Sequence, residues 1–284
     1  MADYWKGVEE LPGSDCSEEW VRVSNTVSLR VLSWMPEDES LHQLEPVVII
    51  PGWGSLFEGW RPLVEEWVTR RRILYIETRE KKSAKFDTKK MSKKDFTIER
   101  FSKDIAKVLA HYQLKDGYHL FSSSLGSTLL IDSLQRREID ARSSLFVAPN
   151  EHFKLPLWSR IIIKLPLPIV VLKLMRSITM RAIERKVKEE GQRIRYRRAL
   201  MEQELVRWRA SARSLIAYSL PEDLSNITVP CGILAANSDK LHAMDAAKNI
   251  AERIPGAVMI EVPSNQYTHE AGVLVEVEAF HASL

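Results

Sequence analysis

The stretch Tyr118-His-Leu-Phe-Ser-Ser-Ser-Leu-Gly-Ser-Thr-Leu-Leu130 joins an apolar, β-like run to a helix-like run through a cluster of very small residues. Small residues at such a junction let the backbones of a strand and of the following helix approach each other closely. The pattern therefore predicts a buried strand that turns sharply into a helix. The chain on either side repeats the same change from strand to helix.

The register Ser122-Ser123-Ser124-Leu125-Gly126 matches the G-x-S-x-G pattern, in which a nucleophilic serine lies at the tip of a sharp strand-to-helix turn. Gly126 fixes this register, because a nucleophile at Ser123 would require Leu125 to fit a position reserved for small residues. Ser124 is therefore the candidate nucleophile, although Ser122 stands where the pattern usually has glycine. A serine-rich junction that only caps a helix is the alternative interpretation.

The composition is that of an ordinary globular protein. The chain has 284 residues, 45% hydrophobic and 28% charged, with a net charge of +3. So small a charge gives no reason to expect a nucleic-acid partner. Cys16 and Cys231 fit no metal or redox spacing, so we expect free thiols and no metal or other cofactor. The N-terminus lacks the basic start and apolar run of a signal peptide, and we expect a cytoplasmic protein.

Apolar runs and helical spacing alternate along most of the chain, which predicts an α/β fold with a mostly parallel, doubly wound sheet. An antiparallel hairpin is expected first, from Glu19–Ser24 and Ser28–Trp34. Predicted strands follow at 46–50, 73–76, 118–121, 144–148, 229–236 and 257–262, and predicted helices at 60–68, 101–112, 125–134 and 243–254.

Residues 151–228 interrupt this alternation and are too long for a structureless loop, so they are expected to form an inserted helical segment. Residues 1–150 and 229–284 would form the core. The apolar part, 155–175, is broken by charges and prolines and is not expected to span a membrane. Residues 176–213 form a charged helical region with apolar residues at positions 178, 183, 187, 194, 205 and 208. That stripe predicts either helix packing or a basic amphipathic surface against anionic lipid.

A second group of small residues, Pro51-Gly-Trp-Gly-Ser55, follows the predicted strand at 46–50. Glycines there would let backbone N–H groups approach a ligand, and acyl transfer needs two such donors at the oxyanion. We assign these donors to the amides of Trp53 and Leu125. A Pro-Gly turn that only leaves a strand is the alternative.

A serine nucleophile also needs a base and a carboxylate that orients the base. Asp239 and His269 each follow one of the last two predicted strands, at the sheet edge where such folds gather their sites. The order Ser124, Asp239, His269 is the one expected with a nucleophile elbow. Asp245 and Glu151 are rival acids. The other histidines, at positions 42, 111, 119, 152, 242 and 281, lie in less suitable places.

With these residues placed, the chain resembles the α/β-hydrolase superfamily, and in particular its small serine carboxylesterases. The resemblance implies that the insertion is a helical cap and that Trp53, Leu155, Trp158 and Ile162 shape an apolar acyl pocket. Three departures are Pro51 for the usual histidine, Ser122 for the first elbow glycine, and residues 77–83 in place of a glycine-containing turn. The last departure is expected to add cations near the cap.

The expected function is hydrolysis of a small-molecule carboxylic ester or thioester with an apolar acyl group, through Ser124, His269 and Asp239. One alternative is a non-catalytic protein of the same fold that binds a ligand or partner. Another is a lyase or carbon-carbon bond hydrolase. Peripheral membrane contact through the basic insertion is the remaining possibility, and the oligomeric state is left open.

Overall fold

The computed structural model describes residues 4–88, 91–114, 117–153, 157–165, 167–236 and 244–284. For residues 157–159 and 162 the description is limited to the main chain.

The strands form one mixed sheet in the order β1-β2-β4-β3-β6-β7-β8-β9, with the short β5 paired to β2. Their bounds are β1 Ser14–Ser24, β2 Val27–Pro36, β3 Val47–Ile50, β4 Ile73–Ile76, β5 Lys85–Phe86, β6 His119–Ser123, β7 Ser143–Val147, β8 Cys231–Ala235 and β9 Val258–Glu261. Strands β1, β2 and β4 pair antiparallel, whereas β4, β3 and β6 to β9 pair parallel. The predicted sheet is therefore confirmed.

Helices follow most of the parallel strands. They are α1 Arg61–Trp67, α2 Ile98–His111, α3 Leu125–Gln135, α4 Leu157–Lys164, α5 Ile169–Lys186, α6 Glu190–Glu202, α7 Leu205–Leu215, α8 Met244–Arg253 and α9 Leu274–Ala282. The central strands are apolar runs because helices cover both faces of the sheet. One core cluster contains Phe101 and Leu129 from α2 and α3, and the other contains Trp60 and Val277 near α1 and α9.

Helices α4 to α7 all lie between β7 and β8, and we call this part the helical insertion. The apolar stripe predicted along it is only partly buried. Val187, Leu205 and Trp208 are buried, as helix packing requires, but Ile178 and Ile194 are each 41% exposed. The chain leaves the helical conformation at 187–189 and again at 203–204, so the charged region forms three helices, α5, α6 and α7.

No described helix is both long enough and apolar enough to cross a membrane.

Candidate active site

Ser124 lies at the junction of β6 and α3 in a strained backbone conformation, with φ of 50° and ψ of −111°. A non-glycine residue in such a region costs about 1–3 kcal/mol and persists only where the surroundings enforce it. The Ser124 N–H donates to the carbonyl oxygen of Val147 at 2.8 Å, which anchors the turn to β7. The predicted sharp turn is therefore present, with Ser124 at its tip.

Glycine is required two residues later. A Cβ atom on Gly126 would lie 2.1 Å from the carbonyl oxygen of Ile50, far inside van der Waals contact. On the other side of the tip, the Ser122 hydroxyl donates to Ser127 Oγ at 3.1 Å and is fully buried. A serine replaces the usual glycine here because its hydroxyl has an internal partner.

The glycine loop after β3, residues 51–54, packs against this turn. A Cβ atom on Gly52 would lie 3.4 Å from the Cβ of Ser124, so the Gly52 backbone is in close range of the candidate nucleophile. The Gly52 carbonyl oxygen accepts hydrogen bonds from Lys81 Nζ at 3.2 Å and from the Ser55 N–H at 3.1 Å. In a trans peptide the N–H points opposite to the carbonyl, so the Trp53 N–H points away from Lys81.

The second candidate donor, the Leu125 N–H, belongs to the first residue of α3. The first N–H groups of a helix have no partner within the helix. They also lie at the positive end of the helix dipole, which favours negative charge.

A buried polar network of Thr78, Glu80 and Lys81 holds the glycine loop in place. Lys81 and Glu80 form an ion pair at 3.0 Å with no solvent exposure of either side chain. Thr78 Oγ1 accepts from Lys81 Nζ at 2.7 Å and donates to Glu80 Oε1 at 2.9 Å. The same Glu80 oxygen accepts from the Gly54 N–H at 3.3 Å. The network therefore holds the loop at both Gly52 and Gly54.

The expectation that residues 77–83 add cations near the insertion holds only for Lys82, which is exposed and whose carbonyl oxygen accepts from Arg207. Lys81 is buried, and Arg79 is buried against Asp104, with Nε and Nη2 donating to its carboxylate at 2.5 Å each. Burial raises the pKa of Asp104, and the hydrogen bonds from Arg79 oppose that rise. Burial likewise raises the pKa of Glu77, against the opposing charge of Arg30. The loop does contact the insertion, because Arg207 donates to the Lys81 carbonyl at 2.7 Å.

His269 ends a short 3-10 turn, Tyr267–His269, after β9 and is only 7% exposed. Its ring lies 4.1 Å from the Trp60 ring, centroid to centroid. Nδ1 lies 3.0 Å from the Asn265 carbonyl oxygen and 3.0 Å from Thr268 Oγ1. Because a carbonyl can only accept, the proton of a neutral ring is favoured on Nδ1, which leaves Nε2 as the basic nitrogen.

Several predicted site residues lie outside the description. Asp239 and Leu155 are not among the described residues, and Trp158 and Ile162 are described only as main chain of α4. Of the rival acids, Glu151 forms an ion pair with Arg253 at 2.7 Å. Asp245 lies exposed in the first turn of α8, where a carboxylate interacts favourably with the positive end of the helix dipole.

Sequence reasoning missed Asn150. Its side-chain Nδ2 donates to Ser124 Oγ at 3.1 Å. The Asn150 main chain is fixed by Thr128, whose hydroxyl donates to the Asn150 carbonyl at 2.9 Å and accepts from its N–H at 3.2 Å. The signal that could have found it is position: Asn150 follows β7 at the carboxyl edge of the sheet, by the same logic that selected Asp239.

The helical insertion contacts two loops of the candidate site, the glycine loop and the segment that precedes His269. Trp53 Nε1 donates to Ser211 Oγ at 3.0 Å, and its ring stacks on Trp208 with centroids 5.5 Å apart. Gln203 Nε2 donates to the Gly54 carbonyl at 2.9 Å. Arg195 donates to Asn265 Oδ1 at 2.8 Å, next to the carbonyl that faces His269. Within the described ranges, no cluster of three histidine, cysteine or acidic side chains could hold a metal ion.

The strand order, the parallel crossovers and the strained strand-to-helix turn together define the α/β-hydrolase fold, and solved structures agree. A hydrolase from Pseudomonas aeruginosa PA01 is similar with a TM-score of 0.69 and 14% identity, over 94% of this chain and 96% of its own. A malate-bound thermophilic esterase from Thermogutta terrifontis is similar with a TM-score of 0.70 and 13% identity, over 95% and 96% of the two chains. An esterase from Exiguobacterium antarcticum is similar with a TM-score of 0.65 and 17% identity, over 90% of this chain and 94% of its own.

No protein-family model matches the chain, and no curated protein matches its sequence significantly. At identities of 13–17%, the structural similarity shows the fold alone.

Proposed function

We propose that the protein is a serine hydrolase that cleaves a carboxylic ester or thioester with an apolar acyl group. The observation that carries the proposal is the strained conformation of Ser124, because a structural helix cap would not require a backbone with φ of 50°. The hydrolases and esterases with the same fold support the reaction class.

In the proposed reaction, Ser124 Oγ attacks the carbonyl carbon of the substrate and His269 Nε2 takes the hydroxyl proton. Asp239 is proposed to orient the imidazole. The tetrahedral oxyanion would accept hydrogen bonds from the N–H groups of Trp53 and Leu125. His269 then returns the proton to the leaving group. In the second half of the reaction, water attacks the carbonyl carbon of the acyl-enzyme while His269 takes the water proton, and the collapse of the second tetrahedral intermediate releases the carboxylic acid as His269 returns that proton to Ser124 Oγ.

The insertion is proposed to act as a cap over this site. Trp53 and Trp208 supply stacked apolar surface beside the glycine loop, which favours an apolar acyl chain over a charged one. Trp158, Ile162 and Leu155 are proposed to complete the acyl pocket.

A fluorophosphonate probe tests the nucleophile, because it reacts with activated serines and requires no knowledge of the substrate. We expect the wild type and Ser123→Ala to be labelled and Ser124→Ala to be unlabelled. Equal labelling of Ser124→Ala, or no labelling of folded wild type, would refute the proposal.

A panel of p-nitrophenyl esters from acetate to dodecanoate tests the reaction and the acyl preference. We expect hydrolysis that His269→Ala and Asp239→Asn lower by at least about 10³-fold, the scale of losing a triad member. A folded wild type that binds fatty acids but hydrolyses no ester would favour the non-catalytic alternative.

A further inference from the structure

The outer surface of the helical insertion exposes an unusual number of large apolar side chains. Ile161 and Leu165 lie at α4, and Ile169, Val170, Leu174 and Ile178 lie on α5; we call these six residues the α4–α5 surface. Val170 is 72% exposed, Ile161 64% and Leu174 60%. Large contiguous apolar patches are rare on monomeric proteins and usually mark a binding surface.

Helix geometry shows that this exposure belongs to one face of α5. Val170, Leu174 and Ile178 are spaced four residues apart, so they line a single stripe. Leu172 and Met175 point to the opposite side, where they are buried in a small cluster with Leu205 of α7. The helix is therefore already attached to the protein by its inner face, and the exposed stripe is not needed for packing within the chain.

The charged residues in the stretch of sequence that forms this surface have one sign. The sequence contains no aspartate or glutamate between Glu151 and Glu184. Arg160, Lys164, Lys173 and Arg181 are all exposed within that interval. Apolar side chains interleaved with cations match an anionic bilayer, where the apolar groups enter the interface and the cations meet lipid headgroups.

The same charges favour lying on a bilayer over crossing one. Helix α5 has 18 residues and carries Lys173, Arg176 and Arg181 as well as two cations in its last turn. A membrane-spanning helix needs about 20 predominantly apolar residues. An amphipathic helix with a cationic polar side is the usual form of an interfacial helix.

We infer that the α4–α5 surface docks on anionic lipid bilayers and is a peripheral membrane-binding site. The inner side of α5 packs on α7, and α7 carries Trp208, which stacks on Trp53 of the glycine loop. The bilayer would thus contact the insertion on the side opposite the candidate site. The inference does not depend on the proposed hydrolase activity.

Flotation with large unilamellar vesicles tests the inference. The full chain carrying Ser124→Ala is used, so that binding is read without any lipid turnover. Vesicles contain phosphatidylcholine alone or with 30 mol% phosphatidylserine, at 0.1 M and 0.5 M NaCl. We expect binding to the anionic vesicles that is weakened at the higher salt concentration and at least tenfold weaker binding to the neutral ones.

Variants assign the binding to the surface. Val170→Asp/Leu174→Asp should lower vesicle affinity more than tenfold. Lys164→Gln/Lys173→Gln should lower it about thirtyfold, since each cation near an anionic surface contributes a factor of about five. Val275→Asp is the matched control, because Val275 is 67% exposed on α9, outside the insertion, and should bind like the parent.

Three results of the vesicle experiments would overturn the inference. They are no binding to anionic vesicles by folded protein, binding that is indifferent to phosphatidylserine, and equal loss of binding in Val275→Asp. A stable dimer in solution that Val170→Asp/Leu174→Asp converts to monomer would also overturn it, since a second copy would then cover the surface. Circular dichroism and melting temperatures verify that each variant is folded.

Discussion

The buried ammonium group of Lys81 donates a hydrogen bond to the carbonyl oxygen of Gly52 at 3.2 Å, directly beneath the loop that faces Ser124. A lysine is rarely buried without a charged partner, and here Glu80 supplies it at 3.0 Å. The pair fixes the direction of the Gly52–Trp53 peptide, and with it the direction of the Trp53 N–H. Lys81 is thus placed to act as a positioning residue for the proposed oxyanion site.

Replacing Lys81 separates this positioning role from its role in stability. Lys81→Met leaves Glu80 buried without a counter-charge, which should lower the free energy of unfolding by about 3–5 kcal/mol. Glu80→Gln/Lys81→Met should recover much of that loss, because glutamine is neutral and its oxygen can still accept from Gly54. The double variant should nevertheless hydrolyse p-nitrophenyl esters with a reduced kcat, since Gly52 has lost the Lys81 donor.

Urea denaturation and ester kinetics check both halves of this prediction. Lys82→Met is the control, because Lys82 is exposed and next in sequence, and it should change neither quantity. A double variant with wild-type kcat would show that Lys81 serves stability alone.

Gly126→Ala should be among the most damaging small substitutions in the chain. Its Cβ would lie 2.1 Å from the Ile50 carbonyl oxygen, and main-chain atoms cannot move aside as a flexible side chain can. We expect the free energy of unfolding to fall by about 3 kcal/mol or more. Gly117→Ala is the control, since its nearest new contact, Glu45 Cγ, would be 3.8 Å away. Similar denaturation midpoints for the two variants would contradict the packing argument.

Asn150→Ala tests the hydrogen bond to the candidate nucleophile. The Asn150 amide donates to Ser124 Oγ, so the serine oxygen is the acceptor in this bond and the serine proton is not used in it. Losing one such bond is worth about 1 kcal/mol, and we expect about fivefold to tenfold slower fluorophosphonate labelling. Asn150→Asp should be slower still, because a carboxylate accepts the serine proton instead of donating. Asn226→Ala, at an exposed asparagine, should label at the wild-type rate.

The central fold was predictable because each parallel strand is a short, continuous apolar run. Predicted strand 73–76 agrees with β4 at both ends, and predicted helix 125–134 differs from α3 by one residue. The start of β1 at Ser14 was missed, because its first residues alternate between half-buried and exposed at a sheet edge and carry few apolar side chains. The breaks between α5, α6 and α7 were missed because no proline or glycine occurs at 187–189 or 203–204.

In the candidate site, the features set by local sequence were predictable, and those that depend on contacts between distant residues were not. Ser124, Gly126 and the glycine loop were predictable because local backbone geometry demands particular residue types there. The burial of Lys81 was not, since a Glu-Lys-Lys sequence is typical of a solvated surface and its partner Gly52 is 29 residues away. The contact of Asn150 with Ser124 likewise depends on the pairing of β6 with β7. Whether Asp239 orients His269 stays a prediction.

The pair His119 and His281 makes stability depend on pH far from the candidate site. Their rings lie 4.0 Å apart, centroid to centroid, at the start of β6 and the end of α9. The pKa of each histidine is lowered to about 4, mainly by burial and in part by the charge of Arg71, while Glu45 opposes the shift. Arg142 also lowers the pKa of His119, and the pairing with His119 lowers that of His281.

The sign follows from comparing the two states. An unfolded histidine has a pKa near 6.5, so as the pH falls from about 6.5 to about 4 the unfolded chain binds protons that the folded chain does not. The folded state should therefore lose stability across this window and keep it above. His119→Gln removes one such histidine and also removes the charge that lowers the pKa of His281. The variant should therefore lose less stability than the wild type between pH 6.5 and 4. Urea denaturation at pH 7.0, 5.5 and 4.5 measures the difference, in which contributions from carboxylates common to both proteins cancel. Parallel curves for the two proteins would mean that the histidine pair does not couple protonation to unfolding.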